Sequence, residues 1–98
     1  MDKRKIHQEK AQARLDELDV RIDLLKAQAK EKADDVKIGA SEQLDELGVL
    51  RKGLKARLSQ FQDAGENAIA EVNKGVERAM WDVEEALKKA DKELHKAH

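Results

Sequence analysis

Apolar residues recur every three or four positions from Leu15 to Phe61, and again from Ile69 to Ala97, in a chain that contains neither proline nor cysteine. The first series reads Leu15, Leu18, Ile22, Leu25, Ala29, Ala33, Val36, Ala40, Leu44, Leu47, Arg51, Leu54, Leu58 and Phe61. It covers 46 residues in 13 steps, about 3.5 per step. That spacing lays the side chains along one narrow stripe of an α-helix, which buries only against another helix. The expected fold class is therefore all-α with coiled-coil packing, and the expected biochemistry is association between helices.

Composition agrees. Of 98 residues, 42% are charged and 2% aromatic, against roughly 25% charged in an ordinary globular domain. A thick enclosed core is not expected, and the whole chain reads as a single helical domain, 1–98. Ala, Glu, Lys, Leu and Arg supply helix propensity, and the stripe supplies burial. The formal charge of −1 gives no global attraction to nucleic acid or anionic lipid. The lack of cysteine excludes disulfides and thiolate chemistry. No apolar run approaches 18 residues, and none of signal-peptide length follows Met1, so a cytoplasmic protein without a membrane-spanning segment is expected.

Boundaries must come from glycines and caps. The best break is Gln62-Asp63-Ala64-Gly65-Glu66-Asn67, where Gly65 tolerates a left-handed helix end and Asp63 with Glu66 has the spacing of a reciprocal cap. The layout expected from this is an antiparallel helical hairpin: helix about 2–62, turn about 63–66, helix about 67–96. Leu58 and Phe61 then close over Ile69 and Val72. Two other layouts use the same series: three helices broken at Ile38-Gly39-Ala40-Ser41, or one continuous rod.

In the hairpin, the first helix spans on the order of 90 Å and the second roughly 45 Å. The short arm leaves Leu15, Leu18, Ile22 and Leu25 uncovered, so a second copy is expected to shield them in a homo-oligomer, most simply a dimer. The charge blocks suit such pairing. Residues 36–62 carry net +2 and face 63–87 with net −5, while residues 1–14 with net +3 match the net −3 of 15–35 on another chain. Such pairs orient helices more than they stabilise them, at about 0 to 1 kcal/mol each.

Chemical constellations are sparse. Asp91, His95 and His98 share a helix face and could offer zinc a carboxylate and two imidazoles, but structural sites want four ligands and the chain end frays; the bland reading is a solvated, dipole-compensating end. No metal or cofactor is expected. His7 lies among Lys3, Arg4, Lys5, Lys10 and Arg14, a basic cluster with no aromatic interleaving for base stacking. Nucleic acid is therefore not an expected partner. Adjacent carboxylates such as Asp34-Asp35 and Glu84-Glu85 diverge by about 100° on a helix, and no pocket is foreseen to tune them, so enzymatic activity is not expected. Met80 lies on the second seam and Trp81 flanks it. The pair reads as an interface anchor for another subunit or partner, or as packing over the hairpin edge aided by the stems of Arg51 or Lys52.

The string from Gly75 to Ala90, Gly-Val-Glu-Arg-Ala-Met-Trp-Asp-Val-Glu-Glu-Ala-Leu-Lys-Lys-Ala, resembles the C-terminal helix of small bacterial coiled-coil proteins described as stress-response proteins. Those proteins have an extended Lys/Glu/Ala-rich first helix, a short polar break and a second helix with an Ala-Trp segment. Here Met80 stands where the aromatic is expected, and Trp81 is displaced by one. The resemblance implies a non-enzymatic cytoplasmic protein and carries over no site residue. The function expected is a self-associating structural or protein-interaction module, and the resemblance implies a stress-related setting for it. The alternative is an amphipathic protein coating lipid or storage-polymer surfaces.

Overall fold

The computed structural model describes residues 3–95, which form three α-helices and one short 3-10 turn. Helix α1 spans Lys3–Lys30, α2 Asp34–Asp63 and α3 Ile69–Leu94, with the 3-10 turn at Glu66–Ala68. They pack as a slender bundle 52 × 17 × 16 Å. Helix α1 runs antiparallel to α2 and parallel to α3. His7 stacks on Phe61 and Asp19 pairs with Arg51, while Arg14 reaches Glu84.

The expected single helix over 2–62 is thus two helices, broken at Glu31-Lys32-Ala33 and not at Gly39, which lies inside α2. The two outermost ends of the expected hairpin, near residues 2 and 96, lie outside the described residues. At the break, the Glu31 and Lys32 amides donate to the Gln28 and Ala29 carbonyls, tightening the last turn of α1. Ala33 is extended, at φ −63° and ψ 156°, and the Lys37 amide donates to its carbonyl to start α2. No side chain caps α2, although Asp34 and Asp35 in its first turn suit the helix dipole.

Propensity favours a continuous helix here; burial decides otherwise. Folding back forfeits three or four helical hydrogen bonds worth about 1 kcal/mol each. It buries Leu15, Leu18, Ile22 and Leu25, each worth about 1.5–3 kcal/mol. These four are 1%, 3%, 4% and 6% exposed within one chain. The overhang that called for a second copy therefore does not exist, and the need for shielding is met internally.

The second break falls where expected, with a different mechanism. Gly65 has φ −74° and ψ 167°, an extended conformation and not a left-handed one, and no side-chain cap joins Asp63 to Glu66. Instead the Ala64 carbonyl accepts from Arg4 Nη1 at 3.2 Å, tying α1 to the turn. Leu58, Phe61 and Ile69 are buried around it, and Val72 packs against them. Helix α3 is the most amphipathic of the three, its buried residues running from Ile69 to Leu94. Those buried residues meet both other helices.

A methyl group added at Gly48 or Gly53, both inside α2, meets nothing within 4 Å. Gly48→Ala and Gly53→Ala should each stabilise the bundle by about 0.5–1 kcal/mol, read as a raised Tm. Leu18→Asp places a carboxylate in the core and should cost more than about 3 kcal/mol, abolishing the cooperative melt followed by circular dichroism. A Leu18→Asp chain that melts like its parent would show that this seam is not in the core.

Candidate interaction surface

The residues singled out in the sequence part company in the structure. Leu15, Leu18, Ile22 and Leu25 are core, and so is Met80, which is 2% exposed. Trp81, the next residue, turns outward and is 60% exposed. It borders a groove of about 330 Å³ between α2 and α3, shared with Glu46, Leu50, Asp82 and Glu85. The Arg51 stem is not its support, because Arg51 turns to α1.

Trp81 is one of several large apolar residues left outside. Val20 (69%) and Leu24 (58%) stand one turn apart on the face of α1 opposite the core. Ile38 and Val49 lie outward on α2 in the same way. Helix α1 therefore carries two apolar stripes, one buried and one exposed. The 3–4 series accounts for the helix without this outer pair, and the spacing of Val20 and Leu24, four apart and off the series, is the signal of it that the sequence carries.

A larger groove, of about 610 Å³, lies between α1 and α2 near their shared turn. Lys26, Lys30, Lys37 and Lys52 ring it over Leu44 and Val49, and Gly48 leaves its wall open. Asp45 is the single acid on its rim, so the groove is strongly basic. These lysines are scattered over 26 positions on two helices, and only the turn at 31–33 assembles them.

The N-terminal basic cluster is partly consumed in holding the bundle. Arg4 donates to the turn carbonyl, Arg14 pairs with Glu84, and the His7 ring lies parallel to Phe61 with centroids 6.0 Å apart. The net positive start of α1 thus lies along α3 in the same chain and reaches its acidic middle through Arg14 and Glu84, where the sequence analysis places it against residues 15–35 of a neighbour. At the other end, His95 Nδ1 is 2.8 Å from the Asp91 carbonyl oxygen and 3.3 Å from its carboxylate. His98 lies outside the described residues. Among the described residues, no group of three or more His, Asp or Glu side chains could hold a metal ion. The adjacent carboxylates diverge as expected: Asp35 accepts from the Val36 amide, Glu84 from Arg14, and Glu85 from Lys88.

The Asp19–Arg51 pair joins α1 to α2 at the edge of the seam. Arg51 Nη2 donates to Asp19 Oδ2 at 2.8 Å, and Nε donates to Oδ1. That fork holds the Asp19 carboxyl below its ordinary range, the hydrogen bond from Arg51 dominating over an opposing burial effect. The same bond raises the Arg51 guanidinium above its usual value. Arg51 is the one charged member of the apolar series, and this contact explains its place there.

Comparison with family models, with curated proteins and with solved structures returned no match to this chain. Among the described residues, no helix is long and apolar enough to cross a membrane.

Because the folded-state pKa of Asp19 is depressed, its stabilising effect is complete above the ordinary carboxylate range and is lost as pH falls through the folded value. Wild type should therefore exceed Asp19→Asn in stability at pH 7, and the gap should close between about pH 5 and pH 2, followed by urea melts. An unchanged gap at acid pH would show that the pair does not link α1 to α2 electrostatically.

Proposed function

We propose that this protein is a non-enzymatic helical interaction module that meets other protein chains, its own copies included, through the outer faces of the bundle. The observation that carries this reading is the set of large apolar side chains, Val20, Leu24, Ile38, Val49 and Trp81, standing 58% to 70% exposed on a surface otherwise crowded with charge. Isolated exposed apolar residues are common. What supports an interaction role is their arrangement: an outward pair one turn apart on α1, Val49 beside a basic groove, and an indole beside an acidic one. Apolar centres with charged rims are the anatomy of protein contact sites, and tryptophan is enriched among their anchors.

The resemblance of the Gly75–Ala90 string adds a stress-response setting and a cytoplasmic location to the proposal. The competing reading, a coat on lipid or storage-polymer surfaces, asks each helix for one broad apolar face. Helix α1 divides its apolar residues between opposite faces, which favours protein contacts.

The test is association measured by sedimentation over a wide concentration range, on wild type and on a Val20→Glu/Leu24→Glu double variant. Both substituted positions are exposed, so the variant should keep its helix content and its stability to within about 0.5 kcal/mol. It should lose a tenfold or greater share of its affinity for copies or for a captured partner. Equal association by both chains would remove α1 from the interface, and recovery of the wild type with floating vesicles would favour the coat reading.

A further inference from the structure

The buried positions of α1, which end at Leu25 and Ala29, run into those of α2, which begin at Val36 and Ala40. With Ala33 between them, every step is three or four residues, so the two seams are one seam folded in half. Nothing in the hinge itself opposes a helix. Glu31, Lys32 and Ala33 are all strong helix formers, no described residue has positive φ, and no side chain caps α2. Helix α1 is also held less extensively by its two neighbours than they hold each other.

We infer that the chain has a second folded state in which residues 31–33 close into helix and α1 is exchanged between two copies. In that state α1 and α2 form one rod of about 60 residues, on the order of 90 Å long. Each α1 then lies along the α2 and α3 of the other chain. Every contact that α1 makes in the closed bundle is remade across the pair: Arg4 to the Ala64 carbonyl, His7 on Phe61, Arg14 with Glu84, Asp19 with Arg51. The exchange gains the hinge's missing helical hydrogen bonds and loses the entropy of association, so the closed form prevails in dilute solution and the exchanged pair at high concentration. This inference rests on the reading of the protein as self-associating, and it names the second copy as partner and α1 as the exchanged element.

The Asp19–Arg51 contact provides the test. A chain with Asp19→Arg and a chain with Arg51→Asp each place like charges together when closed. Mixed, heated and cooled, they form two complementary pairs only by exchanging α1. Native mass spectrometry should then show heterodimer well above the statistical half of all dimers, with a Tm above that of either chain alone. Asp34→Pro supplies the second arm. Position 34 opens α2 after the extended Ala33, where proline fits the closed bundle, whereas in the rod it would lie inside a helix and break it. In both mixed chains Asp34→Pro should abolish the heterodimer excess, and in wild type alone it should remove the exchanged pair, leaving folded closed bundles that associate only through their outer faces. Dimers in statistical proportions, indifferent to residue 34, would overturn the exchange while leaving contact through the outer faces standing. A mixture and a wild type that both remain monomeric at millimolar concentration would overturn the exchange and self-association together.

Discussion

One apolar seam, continuous in phase from Ala11 to Phe61, has to be buried, and the molecule is the shortest solution to that demand. Laid out straight, the seam would extend well past any cover that the 26 residues of α3 could provide. Folding at residues 31–33 brings both halves against α3, whose buried residues run from Ile69 to Leu94. Each half loses its exposure to water, and the only local loss is a few helical hydrogen bonds. Helix α3 is accordingly the axis of the structure, and α1 the element whose position depends on the turn.

The sequence made the second turn legible and hid the first, for reasons that lie in the residues. Near position 64, Asp, Gly and Asn are all poor helix-interior residues, and Leu58, Phe61 and Ile69 flank them ready to close. At 31–33 every residue favours helix, and Ala33 keeps the phase, so neither propensity nor periodicity marks a stop. That break is a tertiary effect, driven by what the four leucine and isoleucine side chains gain at a distance. Gly39 marks no stop because a glycine inside a helix is a soft signal; it lies in α2, where an added methyl group would come within 3.1 Å of Glu93 Oε2.

The same distinction runs through the candidate site. Trp81 could be read as flanking its seam, and it does stand outward, while Met80 on the seam is core. The lysine groove could not be read at all, because it exists only where the hidden turn sets Lys26 and Lys30 beside Lys37 and Lys52. Charge blocks are legible as complementary, and 36–62 does lie against 63–87 as α2 on α3; the N-terminal block differs, because the basic start of α1 meets α3 of its own molecule through Arg14 and Glu84 instead of residues 15–35 of another chain. Such pairs choose orientation among alternatives of similar burial, which is why both the closed bundle and an exchanged pair satisfy them.

The central claim is that a single chain shelters its own N-terminal seam. Small-angle scattering on dilute protein tests it directly, because shape and mass come from one curve. The closed bundle predicts a particle of 11.1 kDa with a radius of gyration near the 15.7 Å of its Cα trace and a longest dimension near 52 Å. A particle approaching 90 Å in length, or one of twice that mass at the lowest concentration, would contradict it.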